Sequence, residues 1–84
     1  MEDQILVNIY LPAAGKSFEV NIPENVRMGD VQNVIAEMLA DLSDGMFMPM
    51  EPNLLINKSS GQIININATA AQQHIMYGAQ LLLI

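Results

Sequence analysis

The chain has 84 residues, of which 51% are apolar and 14% charged, and its formal net charge is −6. That is one small domain with enough apolar material for a core, too hydrophobic for an intrinsically disordered segment. Its only bases are Lys16, Arg27 and Lys58, too few to neutralise a nucleic-acid backbone or to favour an anionic membrane surface.

Gln4 to Leu11 alternates, with Ile5, Val7, Ile9 and Leu11 on one face and Leu6, Asn8 and Tyr10 on the other. Period two predicts a half-buried strand. Pro12 to Lys16 contains Pro12 and Gly15 and predicts a turn. Ser17 to Ile22 alternates again, through Phe18, Val20 and Ile22, so the two runs predict a β-hairpin. Pro23-Glu24-Asn25 interrupts the pattern. A helix is then predicted over Gly29–Leu42, its apolar stripe made by Val26, Val31, Val34, Ile35, Met38, Leu39 and Leu42, with Gln32, Asn33 and Glu37 on the far side. Asp30 suits the positive end of its dipole, and Gly45 is the expected left-handed cap.

Met46 to Pro52 carries two prolines and three methionines and predicts an extended connection lying on the core. A short strand follows over Asn53–Asn57, then a turn at Lys58–Gly61. A weakly alternating run over Gln62–Asn67 places Ile64 and Ile66 on one face. Thr69 is a candidate cap for one short helical turn, and Gln80–Ile84 is a terminal strand. A helix with one apolar face needs one sheet face to cover it, which predicts a two-layer α+β sandwich. The first and last strands are the most apolar and are expected side by side at its centre. Neither repeat nor linker divides the chain, so residues 1–84 are read as a single domain.

This order, two strands, a helix, two short strands, a helical turn and a last strand, resembles the ubiquitin-like β-grasp fold. Two stretches carry the resemblance: Thr69 to Ile75 with Gly78 and Leu81-Leu82-Leu83, and Leu54 to Gln62. Within that superfamily the chain is similar to the YukD/EsaB-like small proteins, cytoplasmic accessories of type VII secretion in Gram-positive bacteria. The hairpin Ile5–Ile22, the strand exit Ile22 to Val26 and the stretch Gly78 to Ile84 carry this likeness. Met76-Tyr77-Gly78-Ala79 stands where that family has an acidic bend, and Met46–Met50 is an added segment. The resemblance implies a mixed four- to five-stranded sheet with one helix on one face. Its implied role is a docking module, with a cytoplasmic component of the secretion machine or a second copy of the chain as partner. Modifiers and sulfur carriers of this superfamily need a flexible Gly-Gly tail, whereas Ile84 falls inside the expected last strand, so conjugation is not expected. A second reading is the small β-grasp subunit of a bacterial multicomponent monooxygenase.

Residue chemistry agrees with a binding role. The absence of cysteine removes disulfides, thiolate chemistry and thiolate metal sites. The start Met1-Glu2-Asp3-Gln4 has no basic leader region, and the longest apolar run, Leu81 to Ile84, is too short to span a bilayer. A cytoplasmic protein is expected. His74 has only Gln72 and Gln73 as near polar neighbours, and these neither orient a general base nor complete a metal site. Asp41, Asp44, Glu2 and Asp3 form no acid–base pair, no dense Asp/Asn loop suits calcium, and the glycines are isolated. No enzyme, cofactor or metal site is expected.

Two candidate docking surfaces remain. Met46, Met48 and Met50 surround Phe47 and Pro49; such flexible, polarizable side chains either plug a core edge or form a docking surface. The other candidate is the open sheet face. With Leu54 and Ile56 directed at the helix, Leu55 points away, as do Leu6, Tyr10, Leu82 and Ile84. An outer antiparallel sheet face is ordinarily polar. These five side chains would expose on the order of several hundred Å², the scale that marks an interaction site. The acidic surface would favour a partner with a basic rim. A one-residue slip in any strand would exchange inside for outside.

Overall fold

The structure, a computed structural model, describes residues 3–45 and 54–84; Met46, Met48 and Met50 lie outside the described residues. Strand β1 (Gln4–Leu11) and strand β2 (Lys16–Pro23) form the expected hairpin. The Ala14 and Gly15 N–H groups both donate to the Leu11 carbonyl, at 3.1 and 2.8 Å. Gly15 has φ +64°, a left-handed conformation that glycine adopts without a Cβ clash. Helix α1 (Met28–Leu42) follows, then β3 (Leu55–Asn57) and β4 (Gln80–Leu83).

The sheet order is β2-β1-β4-β3. β1 and β4 are the central pair and run parallel, and both outer pairings are antiparallel. The expected central pairing of the first and last strands is therefore present. Alternation directs Val7, Ile9, Leu11, Val20, Ile22, Leu81 and Leu83 into one core with α1. The architecture is the α+β β-grasp arrangement, one helix on a four-stranded mixed sheet.

α1 begins one residue earlier than expected and turns a different face inward. Its buried seam is Met28, Val31, Gln32, Ile35, Ala36 and Leu39. Val34, Met38 and Leu42, expected on the apolar stripe, are instead 60%, 39% and 53% exposed. The apolar positions span more of the helix circumference than one sheet face can cover, and Gln32 and Ala36 are buried with the seam. The first helical N–H groups, which have no intrahelical partner, are satisfied from outside the helix. Met28 donates to the Ala68 carbonyl and Gly29 to the Ile66 carbonyl, both at 2.9 Å. This contact explains the glycine, because a Cβ at position 29 would lie 3.1 Å from the Ile66 carbonyl oxygen.

The helix closes with paired reverse hydrogen bonds. Gly45 N–H donates to the Ala40 carbonyl at 3.0 Å and Asp44 N–H to the Asp41 carbonyl at 3.2 Å. That is the Schellman pattern, and its C′ residue is Asp44, at φ 55°. Gly45, the expected cap, stands one position later. The run 62–67 is also corrected. It forms no strand; Ile64 is buried, Ile66 is exposed, and the pairing reduces to an isolated bridge between Ile56 and Ile63. Thr69 does act as a cap. Its hydroxyl accepts from Gln72 N–H at 3.1 Å, while the Gln72 side-chain oxygen accepts from Thr69 N–H at 3.0 Å, a reciprocal capping box. This turn buries Ala70 and Ile75 and returns the chain to β4.

Candidate docking face

Among the described residues, the helix covers one side of the sheet and none packs over the other. Cross-strand partners share a face, so the register determines which residues lie on the open side. Tyr10 stands opposite Ser17 of β2 and opposite Leu82 of β4. Leu82 stands opposite Ile56 of β3, and Ile56 opposite Ile63. Tyr10, Leu82, Ile56 and Ile63 therefore make one apolar row across the open face. The first three are half-buried by one another and by the strands, whereas Ile63 is 61% exposed.

A second apolar pair borders this row. Leu54 and Ile84 exchange both backbone hydrogen bonds, at 2.8 and 2.9 Å, and both side chains are exposed. On the other border lies a polar row, Glu19, Asn8 and Gln80, with the Lys58 N–H bound to the Gln80 carbonyl at 3.0 Å. The Lys58 ammonium sits 5.2 Å from the centroid of the Tyr10 ring, within cation–π range. One of the chain's three bases is thus fixed at the edge of the apolar row, and Glu19 stands toward the β2 edge.

Of the expected docking residues, Tyr10, Leu82 and Ile84 lie together on this face. Leu6 is half-buried on the same side of β1 but is separated from Tyr10 by the polar row at Asn8. Leu55 is corrected. It is 1% exposed and packs in the core, with its neighbour Ile56 outward. The cause is the pairing of Leu55 with buried Leu83, together with the Leu55 carbonyl accepting from the N–H of buried Ile64 at 2.8 Å. A turn held by Asn57, whose side-chain oxygen accepts from Ser59 and Ser60 N–H, sets that pairing. Three consecutive apolar residues, Leu54 to Ile56, carry no alternation of their own, so only the partner strand fixes their sense. Ile56 was missed for that reason, and Ile63 because its run alternates only weakly. The adjacent pair Ile63-Ile64 held the one available signal, since alternation must turn one of two neighbouring residues outward.

Among the described residues, no group of three or more His, Asp or Glu side chains is placed to hold a metal ion. His74 is exposed, at φ 58°, in the bend before Ile75. No helix among the described residues is long and apolar enough to cross a membrane.

No family model matches the sequence, and no curated protein matches it. Solved structures do. The ubiquitin-like domain of the Mycobacterium tuberculosis type VII secretion system protein ECCD1 superposes with a TM-score of 0.79 at 12% identity, covering 98% of each chain. The ubiquitin-like domain of Plasmodium falciparum Dsk2 gives 0.73 at 22% identity, covering 96% of each. Caldiarchaeum subterraneum ubiquitin gives 0.74 at 18% identity, covering 98% of this chain and 92% of its own. The chain has the ubiquitin-like fold. These likenesses establish its architecture alone.

Proposed function

We propose that this chain is a non-catalytic ubiquitin-like interaction module that docks a protein through its open sheet face, as a cytoplasmic accessory of a bacterial type VII secretion system. The observation that carries the docking role is the apolar row Tyr10–Leu82–Ile56–Ile63 with its bordering pair Leu54 and Ile84. Part of the apolar area of such a row stays in water in the isolated chain, and at Ile63 more than half does. Removed from water by a partner, that area returns roughly 25 cal/mol per Å² before the cost of association. The secretion role is supported by the sequence resemblance to YukD/EsaB-like proteins. It is further supported by the structural likeness to ECCD1 and to the EccD5 ubiquitin-like domain of Mycobacterium xenopi, the latter at a TM-score of 0.69 and 16% identity.

The rim refines the chemistry of this partner. Lys58 on the β3 side favours an acidic group opposite it, and Glu19 on the β2 side favours a basic one, so the partner's polar rim is mixed. The deciding experiment is affinity capture of the tagged chain from its native cytoplasm, with and without Ile56→Asp and Ile63→Asp together. Secretion components captured by the parent and lost with the variant, while circular dichroism shows the variant still folded at the capture temperature, are the expected result. Capture that survives both substitutions overturns the docking face, and a captured set without secretion components overturns the secretion role.

A further inference from the structure

α1 carries a second exposed apolar feature, on the side of the molecule away from the open sheet face. Val34, Met38 and Leu42 are 60%, 39% and 53% exposed. They follow one another at intervals of four, the spacing that stacks side chains into a ridge. The ridge is about 12 Å long at 1.5 Å per residue, and each member stands three positions after a core residue, Val31, Ile35 or Leu39.

Acids run beside it. Asp30 is four positions before Val34, Glu37 three after Val34, and Asp41 three after Met38, so the acidic row adjoins the apolar ridge along its length. Asp44 continues that negative charge past the helix end. α1 holds no base, in its last turn or anywhere else. Arg27 stands at the opposite helix end, about 20 Å from Asp41 along the axis, and Lys58 lies over Tyr10.

This distribution works against the isolated domain. Glu37 and Asp41 repel each other as like charges four apart, and acids at the last turn oppose the helix dipole. A cationic group seated beside the ridge reverses both effects. A second copy of this chain docked through the same ridge does not supply one, because it brings the same acids against these, and its net charge of −6 disfavours any other approach.

We propose that the Val34–Met38–Leu42 ridge is a second docking surface, and that its occupant is a basic amphipathic helix of a partner protein. Apolar residues of that helix at four-residue spacing interdigitate with the ridge, and its flanking Lys or Arg side chains meet Glu37, Asp41 and Asp44. The site does not depend on the sheet-face reading, and both surfaces can be filled at once because the sheet and the helix lie between them.

The test uses the 84-residue chain and a labelled 18-residue helical peptide of leucine and lysine, with leucines forming one four-spaced ridge. A scrambled peptide of the same composition, without the ridge, is the control. The expected outcome is peptide binding at least tenfold tighter than the control, weakening severalfold between low and high salt, with amide shifts centred on residues 34, 38 and 42. Val34→Asp with Met38→Asp should weaken it at least tenfold, and Ile56→Asp should not change it. Glu37→Gln with Asp41→Asn is the discriminating variant, because it should raise the unfolding midpoint while weakening the peptide severalfold. Equal binding of the scrambled peptide overturns the proposal, as do shifts confined to the sheet face or full affinity in the Glu37→Gln, Asp41→Asn variant. Concentration-dependent dimerisation abolished by Val34→Asp, or amide shifts at residues 46–53 on Val34→Asp without peptide, would assign the ridge to another occupant and overturn it equally.

Discussion

The sense of β3 decides which residues lie on the open sheet face, and Leu55 and Ile56 provide its sharpest test. Leu55 is 1% exposed, beside buried Leu83 and Ile64, whereas Ile56 is half-buried on the open face. Truncating either to alanine removes three carbons, worth about 0.8 kcal/mol each when fully buried. For Leu55 the transfer contribution is about 2.4 kcal/mol, and the cavity left in a packed interior raises the total to about 3 kcal/mol. For Ile56 roughly half that transfer is at stake and no closed cavity forms, so the cost is about 1 kcal/mol. A domain of this size has about 4–13 kcal/mol of stability at ordinary per-residue values, so Leu55→Ala removes a large part of it. The expected thermal shifts are about 12–24 °C for Leu55→Ala and about 4–8 °C for Ile56→Ala. Urea titration by circular dichroism should show both midpoints falling at an unchanged slope. Equal costs, or a larger cost at Ile56, would mean that β3 is turned over. Leu55 would then return to the open face, and the row running from Tyr10 to Ile63 would be broken.

Three further variants probe the elements that hold this frame. Asp44→Gly should stabilise the chain by about 1 kcal/mol, since it relieves a left-handed non-glycine residue and removes an acid from the helix C-terminus; a lowered denaturation midpoint would contradict the Schellman assignment. Gly29→Val should destabilise by about 1–3 kcal/mol, because even its Cβ meets the Ile66 carbonyl that accepts the residue-29 N–H; a midpoint equal to that of the parent would show that the 66–68 turn does not seat on the helix start. Gln73→Ala should cost about 1–3 kcal/mol, since its side chain accepts from Asn65 N–H at 2.9 Å and donates to the Asn65 carbonyl at 2.8 Å; unchanged amide exchange at residues 65–69 would rule out that bracket.

The parts of the fold that were legible are those with a period of their own. The hairpin alternates over eight residues in each strand, so its inward set, Val7, Ile9, Leu11, Val20 and Ile22, follows from order alone. Strong apolarity likewise marked β4 as central. Legibility ended where apolar residues were adjacent or too numerous. Leu54-Leu55-Ile56 has no alternation, and its sense comes from Leu83 across the ladder. In α1, residues 31, 34, 35, 38, 39 and 42 all satisfy helical spacing, yet the sheet covers only one side of them. The seam centred on Ile35 and Leu39 is buried, while Val34, Met38 and Leu42 face outward. Asp44 in the cap position was hidden by Gly45 next to it, because glycine is the commoner left-handed residue and the backbone here turns left at both.

These failures of the pattern also locate the candidate sites. An apolar residue that stays out of the core keeps part of its surface in water. On the sheet side those residues are half-buried Ile56 and exposed Ile63 and Ile84, and on the helix side Val34, Met38 and Leu42. The electrostatic settings of the two groups differ. A lysine is held over Tyr10 at the first, whereas the second runs beside Asp30, Glu37 and Asp41 with no base on its helix. Like surfaces would compete for one class of partner. A surface with a mixed rim and one bordered by acids alone sort their partners by electrostatics. A bivalent adaptor needs that property if neither partner is to occupy the other's place.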